Sequence, residues 1–191
     1  MGKGRLEAFS DGVFAVIITI MVLELKVPQG ADMAALRPEL PVFLSYVLSF
    51  VNVGIYWNNH HHMLHAVHRV NGFVLWANLH LLFWLSLMPF MTAWMGEHTR
   101  LAVPVAVYGV VLLMSGVAYY ILERGLIATQ GSDSALANAV GVDIKGILSM
   151  VMYAAAIVLA FVNPRISIAL YISVAVMWFI PDPRIEKRIL E

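Results

Sequence analysis

Six long apolar segments, separated by short polar connections, constrain this chain more than any other feature of its sequence. A helix that crosses the hydrocarbon core of a bilayer needs about 20 mainly apolar residues, within a range of about 17–25. The chain is 61% hydrophobic and only 13% charged, whereas soluble domains are about 25% charged. We therefore predict an all-α integral membrane protein, one domain over residues 1–191, with transmembrane helices at residues 9–25, 41–57, 72–94, 101–122, 146–162 and 166–180.

The connections and the basic residues predict how these segments are arranged. Pro164 and Pro181 bracket the short last segment and should stop its helix at both ends. The connection at 128–143 contains Gln130 to Ser134 and reads as a flexible polar linker. Because cytoplasmic loops carry an excess of Lys and Arg, we expect both termini in the cytoplasm and the chain in the cell membrane. The inside then carries Lys3, Arg5, Arg69, Arg124, Lys145, Arg184, Lys187 and Arg188, and the outside Lys26, Arg37, Arg100 and Arg165.

Several classes of function are excluded by the sequence. The chain has no cysteine, so it forms neither disulfides nor thiolate metal sites, and its zero net charge gives no basic surface for nucleic acid. Neither a Ser-His-Asp arrangement nor a phosphate-binding loop can be argued, so we predict no enzymatic activity and no cofactor. No Thr-Val-Gly-Tyr-Gly filter is present, so we predict no re-entrant pore loop. We expect the first segment to be a retained helix rather than a signal peptide, because Asp11 interrupts it.

A charged motif, made of Arg5, Ser10 and Asp11, lies where the first helix begins. An ionisable group in a membrane segment costs about 2.5–3.5 kcal/mol on insertion scales and is a functional-site hypothesis by default. At 100° per residue, Asp11 lies about 140° from Val16, which belongs to an apolar stripe made of Gly12, Val16, Ile20, Leu23 and Val27. Either the stripe lines a pathway and Asp11 holds helices together, or Asp11 lines the pathway and the stripe is ordinary packing.

Two further polar features lie in the second and third segments. His61, His65 and His68 are spaced to share one helix face within the cluster His60–His68, and imidazole suits zinc, copper or nickel. No carboxylate or thiolate lies nearby in the sequence, so we predict no metal site. The alternative function is a proton-coupled or metal-ion transporter that uses this cluster and Asp11. Asn78 is a polar side chain in an apolar helix, and we favour a network with Asp11 over direct ion binding.

The motif at the first helix resembles a known family. Arg5-x-x-x-Phe9-Ser10-Asp11, followed by Gly-Val-Phe-Ala, is similar to the signature of the lysosomal potassium channel family, transmembrane protein 175. The resemblance is greatest to its bacterial members, which have six helices per chain. Downstream residues agree with it: Tyr56-Trp57-x-x-His60-His61 ends the second segment, and Asn78-Leu79 and Pro89-Phe90 lie in the third.

The resemblance implies a potassium-conducting cation channel in which four identical chains place their first helices around a central pore. Membrane lipids and potassium ions would be its partners. By position, a hydrophobic constriction acting as filter and gate would be formed by Val16, Ile20 and Leu23, with the hydroxyl of Thr19 near the pore. Val16 stands where a bulkier Ile or Leu is usual in the family.

The same resemblance implies a network that fixes the first helix against its neighbours and sets the pore diameter. Its members would be Arg5, Phe9, Ser10, Asp11, His60, His61 and Asn78. In this arrangement His60 or His61 is the hydrogen-bond partner of Ser10 and Asp11, and a histidine there would make the channel sensitive to pH.

Overall fold

The computed structural model describes residues 2–131, 134–141 and 143–179, and within these ranges the chain is helical, without strands. Besides a short 3₁₀ turn at Met33–Leu36, the described helices are α1 (Gly4–Leu23), α2 (Leu40–His65), α3 (Gly72–Ser86), α4 (Met88–Glu97), α5 (Ala102–Gln130), α6 (Ala135–Val140), α7 (Ile144–Leu159) and α8 (Pro164–Phe179).

Four stretches are long and apolar enough to cross a membrane: α1, α2, the stretch Gly72–Glu97 that contains α3 and α4, and α5. The apolar helices α7 and α8 have 16 residues each. At 1.5 Å per residue they rise about 24 Å, which is less than the roughly 30 Å of a hydrocarbon core. The prediction of an all-α membrane protein is therefore confirmed at the level of fold class.

The predicted transmembrane segment at 72–94 corresponds to the candidate span Gly72–Glu97, but a break divides this span into α3 and α4. Pro89 lies in the first turn of α4, and a proline lacks an amide hydrogen and clashes with the carbonyl four residues earlier. The N–H of Leu87 turns back to the carbonyls of Leu85 and Trp84 and ends α3. The break leaves a recess beside α1.

The helix of the second predicted segment, 41–57, extends beyond that segment, since α2 continues to His65. The ammonium group of Lys3 donates to the carbonyl oxygens of Leu64 (2.8 Å) and His65 (2.9 Å) at the C-terminal end of α2. Trp57 and His60 consequently lie inside the helix, where side chains of α1 and α3 reach them.

Two expectations about the second half of the chain also change. The linker predicted at 128–143 is partly helical, because α5 extends to Gln130 and Ser134 caps α6 by accepting from the N–H of Ala137 (3.2 Å). Pro164 begins α8 instead of stopping it, since the first helical position needs no amide hydrogen. Residues 132 and 133, Ile180, the prolines at 181 and 183, and Arg184, Lys187 and Arg188 lie outside the described residues.

The helix α5 is the centre of the protomer and packs against α3, α4, α7 and α8. Tyr171 of α8 reaches across it and donates from its hydroxyl to the carbonyl oxygen of Val105 (3.0 Å). A Cβ at Gly109 would lie 2.1 Å from the same hydroxyl oxygen, so this close approach of α8 to α5 requires glycine.

Candidate functional site

The helix α1 has one face buried in the protomer and one face open. Its buried residues recur at helical spacing, four or three positions apart, and are Leu6, Ser10, Phe14, Ile17 and Met21. Outside this buried face, Val16, Ile20 and Leu23 are 54%, 42% and 80% exposed. A chain in a membrane covers such side chains with lipid or with another protein surface, so α1 presents an aliphatic surface that its own protomer does not use.

This exposed surface borders an open groove of about 690 Å³. Phe9, Gly12, Val16 and Ile20 of α1 line one side of the groove, and Ser86, Pro89 and Phe90 from the break between α3 and α4 line the other. Thr19 is exposed on α1, and its hydroxyl donates to the carbonyl oxygen of Val16 (2.9 Å). Val27 belongs to the predicted stripe but lies beyond the end of α1.

A chain of buried hydrogen bonds joins α1, α2 and α3. His60 Nε2 lies 2.7 Å from Asn78 Oδ1, and Asn78 Nδ2 donates to Ser10 Oγ (3.0 Å). Ser10 donates in turn to the carbonyl oxygen of Leu6 (2.8 Å). Because an amide oxygen can only accept, His60 carries a proton on Nε2. The ring of Phe14 packs on that of His60, with centroids 5.5 Å apart, so the chain lies in an apolar setting.

Asp11 belongs to a separate contact at the protomer surface. Its Oδ1 accepts from the indole Nε1 of Trp57 (2.9 Å), and the side chains of both residues are exposed. His61 stacks on Trp57 at 6.0 Å between centroids, and His65 stacks on His61 at 6.2 Å. The result is a column of three aromatic rings on the exposed side of α2, beginning at the carboxylate.

These contacts differ from the expected network. Within the described residues, neither His60 nor His61 bonds Ser10 or Asp11 directly: His60 reaches Ser10 through Asn78, and Asn78 does not bond Asp11. The reason is the helical rotation of about 100° per residue, which turns Ser10 and Asp11 toward different neighbours. Sequence reasoning missed Trp57, which reads as an interfacial anchor although its N–H can only donate and suits a carboxylate.

Arg5 and Phe9 lie on the exposed side of α1. Phe9 lines the groove, whereas no described residue forms a hydrogen bond or an ion pair with Arg5. The cation that does connect α1 to α2 is Lys3, through the carbonyl oxygens at the end of α2. Lys3 also forms a 3.8 Å ion pair with Glu7 of α1. The sequence alone does not distinguish the roles of these two basic residues. What separates them is position: Lys3 precedes the first residue of α1, whereas Arg5 lies in its first turn.

The histidine cluster is divided by the end of α2. His68 lies beyond that helix, where its backbone N–H donates to Gln130 Oε1 (3.3 Å). The prediction that His61, His65 and His68 share one helix face is therefore wrong. Among the described residues, no three His, Asp or Glu side chains come together as a set that could hold a metal ion.

The chain is similar to known proteins over its whole length. The model of the family "Endosomal/lysosomal potassium channel TMEM175" matches residues 5–89. A protein from Chryseobacterium sp. (strain P1-3), named as a potassium channel, is 56% identical over 191 residues, which is 100% of both chains. Another, from Streptomyces collinus and also named as a potassium channel, is 33% identical over 180 residues, 87% of this chain and 86% of that protein.

A solved structure has the same fold. The crystal structure of a protein described as a lysosomal potassium-selective channel TMEM175 homolog, from Chamaesiphon minutus, superposes with a TM-score of 0.77 at 29% sequence identity. The match covers 92% of this chain and 95% of that one, so it includes the helices after the region matched by the family model.

Proposed function

The chain belongs to the TMEM175 family of ion channels, and on that premise we propose that it conducts potassium ions across a membrane. The observation that carries the proposal is the aliphatic face of α1, which includes Val16, Ile20 and Leu23 and remains exposed in the protomer. One helix face cannot enclose a path for an ion. Several copies of the same face around an axis can.

We propose a homotetramer in which four copies of α1 surround the axis. The three aliphatic residues follow one another at intervals of four and three positions, so they lie on one face over about 10 Å of helix. Rings of aliphatic side chains in a pore gate by dewetting, and the width of the ring decides whether water and ions pass. Val16, Ile20 and Leu23 would form this filter and gate, and the free lone pairs of the Thr19 hydroxyl would face permeant ions.

The surrounding contacts would set the rotation of α1. The buried chain of Ser10, Asn78 and His60 fixes α1 to α2 and α3, and the bond between Asp11 and Trp57 fixes it to α2 at the surface. Arg5 and Phe9, exposed in the protomer, would meet a neighbouring subunit. We also propose that α7 and α8 cross the membrane, giving six spans in one domain over residues 1–191, with both termini in the cytoplasm of a cell-membrane protein.

Potassium flux into proteoliposomes that contain the purified protein tests the proposal. Ile20→Ala should raise the flux several-fold, because it widens the aliphatic ring. Val22→Ala is the matched control: Val22 is also aliphatic and exposed on α1, but it lies about 160° from Ile20 around the helix. The channel proposal fails if the wild type and Ile20→Ala both show no flux.

The same assay decides against or for the transporter alternative. Flux that follows an imposed proton gradient, and that disappears when His61 and His65 are replaced together, would indicate proton-coupled or metal-ion transport through the histidine cluster and Asp11. Flux that is passive and indifferent to these replacements would support the channel.

A further inference from the structure

A second polar site lies inside the protomer, on the side of α2 away from α1. It is a cavity of about 50 Å³ between α2, α5 and α7, and Trp178 of α8 also lines it. By a comparable measure one water molecule needs roughly 10–15 Å³, so the cavity can hold a small ion together with water. The polar side chains that line it include Tyr56, Asn59, Tyr119, Asp143, Ser149 and Tyr153.

Three tyrosines of this cavity have no hydrogen-bond partner for their hydroxyl groups among the described residues. Tyr153 is only 4% exposed, and among the described residues nothing forms a hydrogen bond with its hydroxyl, nor with those of Tyr56 and Tyr119. Tyr108 and Tyr171 in the adjoining core do have such partners, at 2.9 Å and 3.0 Å. Tyr56 and Tyr119 are half-buried, and the three phenolic oxygens at this cavity keep lone pairs that a ligand held there can use.

Negative charge lies at the same cavity, at the beginning of α7, which faces the cytoplasm in the proposed topology. Asp143 caps α7 by accepting from the N–H of Gly146 at Oδ1 (2.8 Å), and no described residue donates to its Oδ2. The buried carboxylate of Glu123 is close enough to interact electrostatically with Asp143. Arg124 offsets Glu123 at 3.4 Å, and the ammonium group of Lys145 lies over Trp178 at 6.0 Å from its ring centre.

We propose that this cavity binds one monovalent alkali cation in each protomer. Its donors are hard oxygen atoms: the phenolic oxygens of Tyr56, Tyr119 and Tyr153, the amide oxygen of Asn59 and the carboxylate of Asp143. Such oxygen donors suit alkali and alkaline-earth cations rather than soft metals. One carboxylate among neutral donors matches a single positive charge. The bound cation joins α2, α5 and α7, and it is separate from ions that pass along α1.

The thermal midpoint of the protein in detergent, followed by tryptophan fluorescence, tests this site. Sodium or potassium chloride replaces choline chloride at constant ionic strength, because a ligand that binds only the folded state raises its stability in a saturable way. The wild-type midpoint should rise and saturate. Asp143→Asn retains the cap, since an amide oxygen can accept from Gly146, but the cation concentration for half of the effect should increase at least about tenfold.

A second variant and a matched control make the test specific. Tyr153→Phe should weaken the cation effect and should not lower the midpoint in choline chloride, because it removes a hydroxyl that no described residue bonds. Tyr119→Phe serves the same purpose if Asp143→Asn does not fold. Asp32→Asn is the matched control. Asp32 caps an exposed 3₁₀ turn by accepting from the N–H of Ala35 (3.0 Å), so this substitution alters a helix cap in the same way as Asp143→Asn. Its cation response should equal that of the wild type.

Two results would overturn the proposal. If the midpoint is the same in choline, sodium and potassium chloride, the cavity holds only water. If Asp143→Asn and the phenylalanine variants keep the full cation response, the ions bind elsewhere, as in the pore. Potassium flux, measured on the same variants, reports on the channel proposal separately, because none of these residues lies on α1.

Discussion

Replacing Asn78 with leucine tests the buried hydrogen-bond chain that joins α1, α2 and α3. Leucine has nearly the shape of asparagine but no polar atoms in its side chain, so the change keeps the packing and removes two hydrogen bonds, to His60 (2.7 Å) and to Ser10 (3.0 Å). The two partners lose unequal amounts. Ser10 still donates to Leu6, whereas the ring N–H of His60 is left buried without an acceptor among the described residues.

The expected cost follows from this asymmetry. A buried donor without a partner costs about 1–3 kcal/mol, and an interhelical hydrogen bond in a membrane protein contributes about 0.6 kcal/mol on average. We therefore expect Asn78→Leu to destabilise the protein by about 2 kcal/mol, mostly through His60. At about 2–4 °C per kcal/mol for a chain of this size, its thermal midpoint should fall by about 4–8 °C. Ser10→Ala removes the acceptor of Asn78 Nδ2 and leaves that buried N–H without a partner among the described residues, so its midpoint should fall by a similar amount.

The double variant Asn78→Leu/His60→Phe provides the decisive control, with midpoints measured by tryptophan fluorescence in detergent. It removes both polar groups and keeps a ring against Phe14, so no unpaired buried donor remains. Its midpoint should lie above that of Asn78→Leu alone. The reasoning is refuted if Asn78→Leu melts within about one degree of the wild type, or if the two changes together destabilise by their full sum.

The remaining predictions concern the packing of α8 and the connection after α1. Gly109→Ala should destabilise the protein by about 1–3 kcal/mol in thermal unfolding, because its Cβ would lie 2.1 Å from the hydroxyl oxygen of Tyr171, and Tyr171→Phe should restore part of the loss. The hydrogen bond and charge of Glu97 raise the pKa of Lys26. The contribution of this ion pair to the stability of the protein is therefore complete below the ordinary lysine pKa of about 10.4, and it disappears as the pH rises through the raised pKa of Lys26. Glu97→Gln should make Lys26 react faster with an acylating reagent near that pH, as read by mass spectrometry.

The positions of the apolar helices could be predicted from the sequence because a bilayer leaves a chain few alternatives. Unpaired backbone groups are costly in hydrocarbon, so a long apolar run forms a helix. The end of α2 could not be predicted in this way, since its last carbonyls bond Lys3, which is 61 positions from Leu64. The break at Pro89 is different. It follows from the chemistry of proline, and only the unbroken apolar run around Pro89 concealed it.

The two faces of α1 could also be predicted from the helical period, whereas the partners of its polar side chains could not. Because each residue turns the helix by about 100°, Ser10 and Val16 lie on different faces. Ser10 is buried and Val16 is exposed. The same rotation separates Ser10 from its neighbour Asp11. Ser10 therefore bonds Asn78 on α3, and Asp11 bonds Trp57 on α2.

Two adjacent polar residues thus hold α1 from two directions, one inside the protomer and one at its surface. A helix held at two points separated by about 100° cannot rotate without breaking one of the contacts. In the proposed tetramer, that rotation decides whether Val16, Ile20 and Leu23 point at the axis or toward a neighbouring subunit. The polar motif would then control conduction without touching an ion, because it orients the aliphatic side chains that do.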